Sequence, residues 1–275
     1  SAPQSKASSP SLTAFFASTK KPAESPHGLP AGPRLANPSN YCYANSVILA
    51  SHRALRGLAW GQPEALMRKL DSLTHDAAVA NITEEKALQE LVPHWTWDGT
   101  QQDAAEFLQH FLVADGALKS HPWQSRIFHH PQPLAEGATP LYLPLPAGPT
   151  FNLQSCVQLW HDQGALQALS SAPGDLVTVA LCRYVGEDKI QSRMSQCRQV
   201  SLPFHGGDRI TWHNYTIVAG VLHVGDTAQS GHYQAFYYEG GQMVLTDDAA
   251  PPFAADREAR ALAVQGSYLL FLRRC

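Results

Sequence analysis

Apolar positions along the chain change their period near its middle. In "QQDAAEFLQHFLV", Ala104, Phe107, Leu108, Phe111 and Leu112 recur at i, i+3, i+4, i+7 and i+8, which is one buried face of a helix. A second helix is predicted from Tyr43 to Leu58, with Val47, Ile48, Leu55 and Leu58 inward and the small polar residues Ser39 and Asn40 placed to cap it. Cys42 then falls in its first turn. A third helix is expected over 153–169. After it come short β-prone runs, "DLVTVALCRYV", "YTIVAGVLHV", "HYQAFYYE", "QMVLTD" and "SYLLFLR", which read as strands. Residues 120–150 are rich in Pro and Gly and read as loops around a short extended piece at "TPLYLPLP". Helices followed by strands predict an α+β domain with a cleft between a helical lobe and an antiparallel sheet. Residues 1–33, rich in Pro, Ser and Ala, offer no face to bury and read as a disordered leader. Residues 34–275 are then the folded domain.

Composition narrows the classes. With 44% hydrophobic residues in 275, a sizeable core is available. A formal net charge of −3 gives no electrostatic reason to expect direct binding of nucleic acid or an anionic membrane, so a protein partner is expected. Five cysteines without a CxxC pair argue against a disulfide framework and against a cysteine zinc site, and they fit an intracellular protein of nucleus or cytoplasm. No run approaches the roughly 18 to 20 apolar residues of a membrane span. The chain begins without Met, which reads as a piece of a longer polypeptide.

The candidate chemistry lies in three places. "HYQAFYYE" and "QMVLTD" flank Gly240-Gly241, a two-residue hairpin turn. That turn places Asp247 opposite Gln234 and diagonal to His232 on one face, with Asp248 turned the other way. A carboxylate on one ring nitrogen orients an imidazole and leaves the other nitrogen to exchange a proton with a nucleophile. Cys42 is the candidate thiol, because a helix N-terminus and a protonated His232 both favour its anion. The order Cys, His, Asp fits a thiol hydrolase working through an acyl-enzyme.

These residues also resemble a family, the ubiquitin-specific proteases. "LANPSNYCYANS" resembles its cysteine box, L-x-N-x-G-N-T-C-Y-x-N-S, and "GTQQDAAEFLQHFL" resembles its Q-Q-D-A-x-E-F-L helix. "SGHYQAFYY", then "TDD", then "SYLLFLRR" resemble the histidine box, the following aspartate and the closing strand. The resemblance implies a papain-like fold with a helical thumb and a β palm. It implies Cys42 as nucleophile, His232 as general base, Asp247 as orienting carboxylate and Asn37 as an oxyanion donor. It also implies contacts to the tail of ubiquitin from Gln101, Asp103 and Glu106, with Tyr233 and His223 lining a narrow passage for its Gly-Gly end. The implied activity is hydrolysis of the isopeptide or peptide bond after that Gly-Gly, without a cofactor.

The chain departs from the family pattern in places. Ser39 replaces the Gly and Tyr41 the Thr near the cysteine, and Thr246 stands where a Phe is expected. The interval between "FNLQSCVQLW" and "DLVTVALCRYV" is too short for the family's zinc-holding fingers, so fingers are expected to be absent or very short. Shortening points to a protease for another ubiquitin-like modifier, or to a preference for particular polyubiquitin linkages; a separate alternative is a ubiquitin-binding module with weak catalysis, against which the intact triad argues. In the leader, residues 9–21 resemble the peptide that docks on DNA sliding clamps, with Leu12, Phe15 and Phe16 forming the apolar plug.

Overall fold

One strand, Arg209–Val224, organises the molecule. The structure, a computed structural model, describes residues 32–58, 64–76, 78–113, 121–127, 132–186, 188–195, 197–207, 209–227 and 230–275. The leader up to residue 31, and with it Leu12, Phe15 and Phe16, lies outside the described residues. Along one edge, Arg209–Val224 pairs antiparallel first with Gln199–Gly206 and then with His232–Glu239. Along the other it pairs with the closing strand, Ser267–Arg274. Its first half alternates in burial, while its second half, from Ala219 to Val224, is buried on both faces. That is why "AGVLHV" is a continuous apolar run rather than an alternating one.

His232–Glu239 turns at Gly240-Gly241 into Gln242–Thr246. Both glycines have positive φ, +55° and +82°, as this two-residue turn requires, and the register pairs Glu239 with Gln242 and Ala235 with Thr246. The expected register of this hairpin is the one observed.

Six helices are described: α1 (Cys42–Ala54), α2 (Glu64–Asp76), α3 (Lys86–Leu91), α4 (Ala104–Val113), α5 (Leu153–His161) and α6 (Arg257–Gly266). Helix α1 covers one face of the sheet, in a core with Ala219, Val221, Tyr233, Ala235, Leu269 and Phe271, and α2 and α4 add to that core from outside it. Helices α5 and α6 cover the other, on Leu222, Val224, Phe236, Leu245, Leu270 and Leu272. The alternation 269/271 against 270/272 shows the pleat feeding two cores. All thirteen residues of α1 are buried, so it is the central element between sheet and outer helices. Tyr43 from α1 and Phe107 from α4 meet edge to face at 5.7 Å, and the Trp95 indole donates to the Tyr43 hydroxyl at 3.0 Å.

Several expectations are corrected. Helix α1 ends at Ala54 rather than Leu58, with Gly57 at φ +80° and the Arg273 guanidinium donating to the carbonyls of Ala54 and Arg56. Neither Ser39 nor Asn40 caps it; the N-cap position is Tyr41, without a side-chain cap, and the Asn40 amide donates to Gly99 O. Residues 120–150 hold the expected extended piece, Leu141–Leu143 paired with Leu176–Leu181, and also an unexpected pair of strands: Pro122–Arg126 pairs with Ala135–Ala138 and Leu166–Leu169. The helix expected over 153–169 stops at His161, and its last part is the strand Leu166–Leu169. The stretch from His161 to Leu176 holds that strand and turns only.

Candidate active site

The N-terminus of α1, the start of His232–Glu239 and the end of Gln242–Thr246 meet at one end of the sheet. Cys42 is the first residue of α1 and is 3% exposed. Its thiol lies within hydrogen-bonding reach of the His232 ring. On the other side of that ring, Nε2 is 2.5 Å from Asp247 Oδ1. Asp247 Oδ2 accepts a second bond from the Gln234 amide at 2.9 Å, so both carboxylate oxygens are held. The hairpin places Gln234 opposite the residue following Thr246, which is the same register that brings the acid to the ring.

Electrostatics follow from these contacts. Burial by itself would lower the pKa of His232, yet the bonds to Asp247 and Cys42 outweigh it and raise the value to about 10. Burial by itself would raise Asp247, but the His232 contact and the Gln234 bond bring it below its ordinary value. At neutral pH the ring is therefore an imidazolium beside the thiol.

Asp248 adopts φ +44°, a left-handed conformation that Asp tolerates better than most residues. This aims it at the loop before α1, while its Oδ2 stays 4.0 Å from His232 Nε2. Its Oδ2 accepts from Asn37 at 2.9 Å and its Oδ1 from Asn45 at 2.7 Å, while its carbonyl accepts Leu35 N–H at 3.1 Å. Burial raises its pKa despite those amides. Asn37 Oδ1 accepts the Tyr41 N–H at 2.6 Å. The Asn37 amide is thereby fixed at both ends just before the cysteine, with one Nδ2 hydrogen committed to Asp248. Among the described residues, His232, Asp247 and Asp248 are the one grouping of His, Cys and acidic side chains close enough for a metal, and their hydrogen bonds already account for them.

The remaining expected residues range from buried to exposed. Asp103 is the N-cap of α4: its Oδ1 accepts from Ala105 and Glu106 N–H at 2.7 and 3.0 Å, and its Oδ2 from the Tyr268 hydroxyl at 2.7 Å. Gln101 is half-buried with Nε2 unpartnered, and Glu106 is exposed. His223 and Tyr233 are 0% and 1% exposed, with ring centroids 4.6 Å apart, and each keeps an unpartnered polar atom, Nε2 and the hydroxyl. Both belong to the wall behind His232. Sequence reasoning assigned nothing to Gln234, Asn45 or Asp248. The hairpin register pointed to Gln234; no signal pointed to the bonds of Asp248.

Neither a protein-family model nor a curated protein matches the sequence. Solved structures do match. The chain superposes on the Ubp8-Sgf11-Sgf73-Sus1 SAGA DUB module with a TM-score of 0.57 at 16% identity, covering 88% of this chain and 67% of that one. It superposes on the SAGA Ubp8 module bound to ubiquitin aldehyde with 0.58 at 16%, covering 88% and 69%. For a yeast SAGA DUB module with an Sgf73 mutant the values are 0.59 at 15%, covering 89% and 66%. The class the likeness defines is one of fold: an α+β domain with helices packed on both faces of a large, mainly antiparallel sheet, as in those structures. Among the proteins whose fold it shares is Ubp8, named in those structures.

Proposed function

We propose that residues 34–275 form a cysteine-type deubiquitinase that cleaves the bond after the C-terminal Gly-Gly of ubiquitin. The observation that carries this reading is the series of Cys42, His232 and Asp247, with the sulfur at a helix N-terminus beside an imidazolium that a buried carboxylate holds. The fold of Ubp8, a protein seen with ubiquitin aldehyde and with monoubiquitin, supports the substrate class.

In the proposed cycle the Cys42 sulfur anion attacks the carbonyl carbon of the terminal glycine, forming a C–S bond and an oxyanion. The second Nδ2 hydrogen of Asn37 is the donor for that oxygen, and removing such a donor costs typically about 3 to 4 kcal/mol of transition-state stabilisation. His232 passes its proton to the departing lysine amine as the C–N bond breaks, leaving a thioester. Water then gives a proton to His232 and attacks the thioester. The C–S bond breaks, the sulfur leaves as the anion, and the carboxylic acid of ubiquitin loses its remaining proton to solvent and departs as a carboxylate. Asp247 keeps the ring oriented throughout and stabilises its charge.

Ubiquitin carrying a C-terminal fluorogenic amide tests this. The wild-type chain is expected to release the fluorophore, and Cys42→Ala to release none while keeping its fold by circular dichroism. Equal release by both would end the proposal.

A further inference from the structure

A short hairpin beside the site holds the base of the His232 connection. Tyr184–Val185 pairs antiparallel with Asp188–Lys189, with Lys189 directly opposite Tyr184. Both of these residues reach His223. The Tyr184 hydroxyl lies 2.6 Å from His223 Nδ1, and Lys189 Nζ donates to His223 O at 2.7 Å and to Gly225 O at 2.9 Å. Those carbonyls need a partner because the closing strand opposes the spine only as far as Leu222, paired with Ser267.

What lies over His223 connects this hairpin to the chemistry. Gly225 and Gly231 have φ +155° and +148°. A Cβ on Gly231 would come within 2.4 Å of Val224 O and 2.6 Å of His223 Nε2; one on Gly225 would meet Ser230 O at 2.5 Å and the His223 ring at 3.0 Å. The two glycines thus cross the His223 imidazole, backbone against ring. Gly231 is the residue before His232, and His232 pairs with Val224. A shift of His223 or Gly225 is transmitted through this contact to the start of the strand that aims the ring at Cys42.

We propose that Lys189 is a positioning residue: by gripping His223 O and Gly225 O its ammonium fixes Gly231 and so sets the placement of His232 against Cys42. This rests on the reading of Cys42 and His232 as the reacting pair. The charged and titratable groups facing Lys189 are Arg183 at the end of the preceding strand, His223 on the spine, Asp226 in the connection, and Tyr184 and Asp188 on its own hairpin. Burial, with Arg183 adding to it and Asp226 opposing, brings Lys189 down to about 8. Burial keeps the His223 imidazole neutral, its pKa near 3, so the charge that grips the two carbonyls is the lysine's. The ammonium, the stronger donor, is the form present below about pH 8; above it the neutral amine holds the two carbonyls more weakly.

The test compares Lys189→Met, Lys189→Arg and Tyr184→Phe in the full chain. Two rates are measured: turnover of a ubiquitin fluorogenic amide, and alkylation of Cys42 by chloroacetamide, followed on the Cys42 peptide by mass spectrometry. Lys189→Met is expected to lower kcat about tenfold with KM within twofold, and to slow the alkylation. Lys189→Arg is expected to retain most of both rates and to lack the partial decline in kcat that is expected of the wild type near pH 8. Tyr184→Phe is expected to show a smaller loss of the same kind, and it carries the test if Lys189→Met does not fold. A loss confined to KM, unchanged rates in Lys189→Met, or Lys189→Arg no better than Met would overturn the proposal. A wild type that alkylates at Cys42 but ignores ubiquitin refutes the substrate reading alone, because the alkylation rates still decide the role of Lys189.

Discussion

Adjacent aspartates at 247 and 248 serve different partners because one positive φ separates their directions. Asp247 faces the ring and Asp248 faces two asparagines. Asp247→Asn is expected to lower kcat/KM at least about 100-fold by weakening the orientation of the imidazole. It is also expected to move the basic limb of the pH profile to lower pH, since Asp247 is the leading contact that raises His232. The linkage has a definite sign. The raised pKa of His232 contributes stability that is complete below its unfolded value of about 6.5 and is lost as pH rises through about 10. The depressed pKa of Asp247 contributes stability above its unfolded value of about 3.9, lost as pH falls through the folded value. The melting temperature of Asp247→Asn should therefore lie below wild type between those limits and converge with it above pH 10. Asn37→Ala is expected to reduce kcat by about 100- to 1000-fold with little change in KM, which steady-state kinetics would read directly.

At the scale of elements, the hairpin was legible because its turn is local. Gly240-Gly241 admits positive φ at both positions, and register then follows by counting. Helix α4 was legible because its four described apolar positions, Ala104, Phe107, Leu108 and Phe111, all face the core. The strands of 122–138 were not, because their partners are distant in sequence. Trp123 pairs with Gly137 and also with Leu169. Gly137 reads as a loop signal but is a close approach: a Cβ there would stand 2.7 Å from the Trp123 indole nitrogen. The end of α1 was misplaced for a related reason. A helix buried on every side has no polar stripe to define its limits, and its stop comes from Arg273 at the far end of the chain. Asp103, expected as a contact for the tail of ubiquitin, also caps α4. Asp103→Ala is expected to cost about 0.5 to 2 kcal/mol by denaturant unfolding, through loss of the cap, whatever it does to substrate affinity.

For the molecule as a whole, sheet and α1 share one buried interface, and the site sits where that interface opens at the helix N-terminus. Polar residues inside α1 are tied to neighbours: Asn45 to Asp248, His52 to Asp71 at 2.8 Å, and Arg53 over the Tyr237 ring at 4.4 Å. Composition and periodicity could anticipate two lobes but not these ties, which depend on side chains separated by up to two hundred positions. The chain enters its first described strand, Arg34–Leu35, beside Asp248. We propose that Leu12, Phe15 and Phe16 dock on a sliding clamp. Calorimetry with a peptide of residues 5–24 is expected to give heat of binding that is lost when both phenylalanines are replaced by alanine.

The central claim is that Cys42 is a nucleophile addressed to the ubiquitin C-terminus. Intact mass spectrometry after exposure to ubiquitin bearing a C-terminal electrophile tests it most directly. The account predicts a single added ubiquitin, mapped to Cys42 and absent in Cys42→Ala; an unmodified chain, or an adduct on Cys156, Cys182, Cys197 or Cys275 instead, would contradict it.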